Sequence, residues 1–261
     1  MDRDLYLERE GRVGILYINR PDVLNALSKN VLEKLLALFK KDLWSSEGLL
    51  ALIITGVGDR AFIAGADIAE MEKMDRRQIV AYCSLGQKVM AAMRDASFVT
   101  IAAVNGYALG GGLEVALACD FIYAKQAVLL GFPEVKLGLI PGFGGLHRLT
   151  QAIGERRAKE LILTGKMISA EEALPLGLIN GIYQEQQLLP HCKEVAELIA
   201  GYSQRAVHSI KKAIHASSSY HTKTFELEHK LFVYCFTTQE CREQMHAFLG
   251  TCDSCAPLKK L

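Results

Sequence analysis

Glu114 and Glu134 each stand in apolar company beside a glycine-rich segment. Ala108-Leu109-Gly110-Gly111-Gly112-Leu113 runs directly into Glu114, and Pro141-Gly142-Phe143-Gly144-Gly145 follows Glu134 a few residues on. Glycine lets the backbone approach a ligand closely, and the start of a helix leaves N–H groups unpaired and partly positive. Two carboxyls near such donors suit acid/base work on a polarised carbonyl compound, because burial lifts a carboxyl pKa toward the range useful for proton transfer. A third stretch, Ala61-Phe62-Ile63-Ala64-Gly65-Ala66-Asp67-Ile68, has small residues and is expected to supply another backbone donor. Taken singly, the glycine triplet reads as a tight turn and each glutamate as an exposed charge or a helix cap. Taken together they favour a thioester oxyanion hole. A phosphate loop is not matched, since no Gly-Lys-Ser/Thr follows the triplet and Gly142-Phe143-Gly144-Gly145 does not complete G-x-G-x-x-G.

These residues need a scaffold, and the chain has material for one. Half of its 261 residues are hydrophobic, enough for a sizeable core. With 30 basic against 29 acidic residues the net charge is +1, so composition predicts no strong attraction to nucleic acid or to a membrane surface. The charged start, Met1-Asp2-Arg3-Asp4, lacks the apolar core of a secretory signal, and no run reaches about 18 uncharged apolar residues, so neither export nor a membrane span is expected. Seven scattered cysteines read as free thiols in a reducing compartment, which predicts a cytoplasmic protein. Cys252-Asp253-Ser254-Cys255, with Cys241 and His246 upstream, raises the question of zinc. A second C-x-x-C is missing, and no metal is expected.

Short apolar runs at 13–18 and 49–54 predict strands, the second buried on both faces. Between them Ser28 can cap a helix to about residue 43, with Val31, Leu32, Leu35, Leu36 and Phe39 on one face. The alternation continues with a helix near 76–93, a strand at 98–104, a helix from about 112 and strands at 121–123 and 128–130, which predicts a layered α/β core. Beyond 185 the periodicity is helical, over 188–200, 207–216, 225–236 and 240–249, suggesting a helical region at the C-terminal end.

Order and spacing of several motifs make the chain resemble the crotonase superfamily, and within it the enoyl-CoA hydratases, over nearly its whole length. The matching stretches are Asn19-Arg20-Pro21 through Asn25-Ala26-Leu27, the Ala61 to Ile68 segment, Ala103 through Glu114, Phe132-Pro133-Glu134-Val135-Lys136-Leu137-Gly138 and Ile140 through Gly145. Leu163-Thr164-Gly165, Ala170-Glu171-Glu172-Ala173 and Gly177-Leu178-Ile179 match as well. The resemblance implies an α/β spiral of ββα turns over 1–195 and a C-terminal helical region over 196–261 used in trimer formation, commonly giving a dimer of trimers. It also implies that the amides of Ala66 and Gly111 hold the thioester oxygen and that Ala64, Ala66, Asp67 and Ile68 line the CoA site. Glu114 and Glu134 would flank the 2,3 double bond, and the Gly142 amide would help to place the water. No cofactor is implied, CoA being part of the substrate. The partners implied are an acyl-CoA and other copies of the chain, in fatty acid metabolism.

Hydration of a conjugated thioester builds enolate-like charge on the carbonyl oxygen, which two backbone donors stabilise by a few kcal/mol. It then needs one ionised and one protonated carboxyl. The assignment is Glu114 as base toward water and Glu134 as proton donor to C2, the pair titrating as a unit. An enoyl-CoA isomerase, dehalogenase or hydrolase would share the oxyanion hole, but an isomerase can work with one principal carboxylate, and both are retained here. RNA binding, the alternative from another class, rests on Lys29, Lys34, Lys40 and Lys41, which Glu33, Asp42 and Glu47 offset. Two departures from the family pattern stand out. Leu146-His147 replaces a common Thr-Gln, with a change of the acyl pocket expected. The tail at 250–255 lacks the usual charged stretch, so a phosphate-binding role is not carried over to Lys259 and Lys260. His208, His215, His221 and His229 are expected to face solvent or to pack.

Overall fold

Each repeat of the chain sends one strand into a large sheet and the next into a small one. The computed structural model describes residues 4–40, 48–217 and 222–250. Its strands are β1 Leu5–Glu10, β2 Val13–Ile18, β3 Ala51–Gly56, β4 Ala61–Ile63, β5 Val99–Val104, β6 Tyr107–Leu109, β7 Phe121–Lys125, β8 Leu129–Gly131, β9 Met167–Ser169 and β10 Gly181–Tyr183. The helices are α1 Lys29–Lys40, α2 Ile68–Met71, α3 Arg76–Arg94, α4 Gly111–Ala118, α5 Gly145–Ile153, α6 Glu155–Thr164, α7 Ala170–Ala173, α8 Glu185–Ala200, α9 Gln204–Ser217, α10 Thr222–Phe236 and α11 Gln239–Gly250. The large sheet has the order β1-β2-β3-β5-β7-β10 and the small one β4-β6-β8-β9. The pairs β3/β4, β5/β6 and β7/β8 therefore each span both sheets before a helix returns the chain, which is a spiral of ββα turns.

The large sheet is parallel except for β1, which pairs antiparallel with β2. Its apolar alternation serves two cores. Leu16, Ile18, Leu52, Ile54, Ala102 and Val104 face the main core with α1 and α3, while Val13, Ile15, Ala51, Ile53, Ile101 and Ala103 pack under Leu188, Cys192 and Ala196 of α8. All six residues of β3 are buried, as the unbroken run of apolar residues predicts. Ser28 accepts the Val31 N–H at the start of α1, and Asp75 with Gln78 forms a capping box for α3. The end of the first helix, expected near 43, lies outside the described residues.

The expected division at 195/196 falls inside a helix. Helix α8 runs through that boundary and packs on the large sheet, so it belongs to the core layer. Helix α10 lies against α3, and α11 against α2 and the turn Pro133–Leu137, so both reach the neighbourhood of Glu134. Phe232 and Phe236 are buried within their own chain, whereas Leu231 on the same helix is exposed. Apolar side chains left exposed at this end include Leu198, Tyr202, Ile210 and Ile214.

Candidate active site

The glycine triplet is built for close approach. Gly110 has φ +50° and ψ −123°, a conformation open to glycine, and a Cβ placed there would sit 2.7 Å from Glu134 Oε1. Gly112 packs against β4 so tightly that a Cβ would overlap the Ile63 carbonyl. Between them Gly111 begins α4, where no carbonyl of the same helix is available to its N–H. A Cβ on Gly111 would lie 3.6 Å from the Ala66 nitrogen, which brings the two amides to one spot. Ala66 forms a parallel bridge with Leu27, made by Leu27 N–H to Gly65 O and Asp67 N–H to Leu27 O, so its own N–H points the other way. Both residues line a cavity of about 110 Å³.

Apolar groups make up most of the remaining wall, including Leu24, Met71, Leu139, Phe143, Phe232 and Phe248. Ala64, Gly65 and Ile68 line it too. Asp67, expected to line the CoA site, is not among the residues of this cavity. It caps α2 through the Glu70 N–H and pairs with Arg20 at 2.9 Å, while Arg20 also donates to the Ala26 carbonyl. The pair thus ties the Ala66 segment to the Arg20–Leu27 loop.

The second glycine segment spends its donors on carboxyls. Glu114, 2% exposed, accepts the N–H groups of Phe143 and Gly145 on Oε1, each at 2.7 Å. Burial pushes its pKa up to about 7, against the downward pull of those two N–H groups and the Arg148 guanidinium. Glu134 is held well above the usual carboxylate range, first by burial and then by the Glu114 charge, and its buried Oε2 has no hydrogen-bond partner. Gly142 turns its carbonyl to Gln87 Nε2 and Cys83 Sγ, both at 3.1 Å, and its N–H has no acceptor among the described residues.

A third carboxyl completes the cluster, and it was not singled out from the sequence. Glu228 of α10 is 3% exposed and accepts the Gly144 N–H at 2.5 Å. Burial, then the charge of Glu114, raises its pKa to about 8. Its sequence signal is its spacing, because Phe232 and Phe236 follow at i+4 and i+8, which sets one acid on an apolar helix face. Arg148 of α5 lies beside these acids and donates to the Phe143 carbonyl at 2.9 Å.

Leu146 and His147 do not line the cavity, contrary to the expected change of the acyl pocket. His147 opens onto a separate cleft, shared with Arg94, Lys211 and His215, and burial lowers its pKa. Near the site His229 faces the Val80 carbonyl. Among the described residues no cluster of His, Cys, Asp or Glu has the makings of a metal site, and Cys252, Cys255, Lys259, Lys260 and His221 lie outside them. No helix among the described residues is long and apolar enough to cross a membrane.

Residues 8–254 match the model of the Enoyl-CoA hydratase/isomerase family, and the chain belongs to that family. It is 41% identical to the crotonyl-CoA hydratase of Syntrophomonas wolfei over 94% of this chain and 95% of that protein. It is 39% identical to the short-chain-enoyl-CoA hydratase of Clostridium acetobutylicum over 94% of each. Among solved structures, an enoyl-CoA hydratase from Bacillus anthracis superposes with a TM-score of 0.80 at 35% identity, covering 95% of this chain and 96% of that one.

Proposed function

We propose that the protein is a short-chain enoyl-CoA hydratase, a hydro-lyase that adds water reversibly and syn across the 2,3 double bond of a 2-enoyl-CoA to give a 3-hydroxyacyl-CoA. The observation that carries this reading is the unequal treatment of two buried carboxyls. Glu114 accepts two N–H groups that favour its charge, whereas Glu134 has a bare buried oxygen and the Glu114 charge nearby. Near neutral pH that arrangement favours one base and one acid, which hydration requires and double-bond isomerisation does not.

In this reading the Ala66 and Gly111 amides hold the thioester oxygen while enolate charge develops on it. Glu114 takes a proton from water as its oxygen bonds to C3, with the Gly142 N–H orienting that water. Glu134 gives its proton to C2. The proton gained by Glu114 is the one Glu134 must recover, so the pair is reset by transfer between them or through solvent. Dehydration runs the same steps backward. Ala64 to Ile68 would carry the pantetheine and adenine ends, with Asp67 acting through its hold on the segment.

A short acyl chain is supported by the small cavity, walled by Phe232, Phe248, Met71 and Leu139, and by the printed names of the two relatives. Such a reaction consumes unsaturated thioesters in fatty acid metabolism. Self-association as a trimer or hexamer is supported by the exposed Ile210 and Ile214 of α9, with Leu198 and Tyr202 beside them in sequence. The test is a spectrophotometric assay with crotonyl-CoA, longer and branched 2-enoyl-CoAs and a 3-enoyl-CoA. Fastest hydration of crotonyl-CoA supports the reading. Turnover of the 3-enoyl thioester alone would make the protein an isomerase.

A further inference from the structure

Three consecutive N–H groups at the entry to α5 are shared between two acids. Phe143 and Gly145 donate to Glu114, and Gly144, between them, donates to Glu228. Gly144 has φ +99°, which lets the middle amide point opposite to its neighbours. Glu228 is carried by the same helix as Phe232, which walls the cavity and against which a Cβ on Gly142 would clash.

Building on the hydratase reading, we propose that Glu228 is a positioning residue for the hydration: it fixes the peptide at Gly144 so that both flanking amides face Glu114, and it sets a third acid beside the proton-transfer pair. The groups facing it are Glu114 from α4, Glu134 from the Pro133–Leu137 turn, Arg148 from α5, and Gln87 and Cys83 from α3. Glu114 ionises first, because it has two N–H groups and Arg148 to hold its charge. Glu228 follows at about 8, and its charge then opposes ionisation of Glu134. The third acid therefore widens on the alkaline side the pH range in which Glu134 retains its proton.

Two substitutions separate the two roles. Glu228→Gln keeps an oxygen for the Gly144 N–H but removes the charge. Its acid limb of kcat should stay in place while the alkaline limb moves to lower pH by about half a unit or more. Glu228→Ala removes both contributions and should lower kcat about ten- to a hundredfold with KM within about threefold. A Gln variant whose pH profile superimposes on that of the unaltered protein would overturn the proposal, as would a folded Ala variant with kcat within about twofold. If Glu228→Ala fails to fold, the alkaline limb of Glu228→Gln decides alone. Carbon-13 NMR titration of glutamate-labelled protein reads the same coupling without turnover. Glu228→Gln should lower the highest carboxyl midpoint of the cluster, and an unchanged midpoint overturns the proposal even if crotonyl-CoA is not the substrate.

Discussion

The site has two groups of backbone donors, and they are used in opposite ways. The amides of Phe143, Gly144 and Gly145 are all committed to carboxyls, whereas those of Ala66 and Gly111, two residues that line the cavity, have no acceptor among the described residues. Donors already bound to a carboxyl set its protonation, since a group that accepts N–H bonds when charged resists protonation. Donors left open beside an apolar cavity are available to an oxygen that gains charge during reaction. Damage to the first group should therefore change how the rate depends on pH, and damage to the second should change its height alone.

The largest effect is expected where both groups are left intact and the proton carriers are removed. Glu114→Gln and Glu134→Gln should each lower kcat for crotonyl-CoA by about a thousandfold with the fold preserved by circular dichroism. Near-normal turnover by either would rule out a two-carboxyl mechanism. Next comes the open group. Gly111→Val places a branched side chain against Leu27 and the Ala66 amide, and kcat/KM should fall about a hundredfold with both limbs of the pH profile in place. Gly111→Pro, which deletes the donor, should abolish turnover in whatever protein folds.

Smaller effects test the committed group. In Gly145→Ala the new Cβ would lie 2.8 Å from Glu114 Oε1 and 2.7 Å from Phe132. Relief of that clash weakens the amide bonds to Glu114, so the acid limb should move to higher pH, by about half a unit or more, with about a tenfold loss in kcat. A profile lowered without displacement would contradict the division between the two donor groups. Smallest is a stability effect. Glu134 has a folded-state pKa raised above its unfolded value, so the folded state binds the extra proton and stability falls as pH rises past the ordinary carboxylate range. Glu134→Gln should accordingly melt a few degrees higher than the unaltered protein at about pH 8, with the gap closing near about pH 4.

How much of this the sequence displays depends on where the information lies. The long elements of the large sheet are visible, because 13–18, 49–54 and 98–104 are apolar runs, the last interrupted only by Thr100. The small sheet is not, since β4, β6, β8 and β9 have three residues each, too few to show a period, although Leu129 and Leu130 fell within an expected strand. Glu114 and Glu134 stand out because each has glycines nearby in the chain. Glu228 has none nearby, and its partner Gly144 is 84 residues away. Likewise the resemblance sets Asp67 at the CoA site, but its ion-pair partner Arg20, 47 residues earlier, is not visible as such in the sequence. Phe232 and Phe236 show an apolar face without showing what covers it, and the answer is the core of their own chain.

The hydratase reading makes Glu114 the base and Glu134 the acid because the committed donors treat them unequally. Its most direct measurement is kcat/KM for crotonyl-CoA as a function of pH, which reports the free protein's essential acid and base. The profile should be a bell whose acid limb lies near pH 7, where Glu114 ionises, and whose alkaline limb lies above it, where Glu134, raised by burial and by the Glu114 charge, loses its proton. An acid limb at an ordinary carboxylate value of about 4, or no alkaline limb at all, would contradict it.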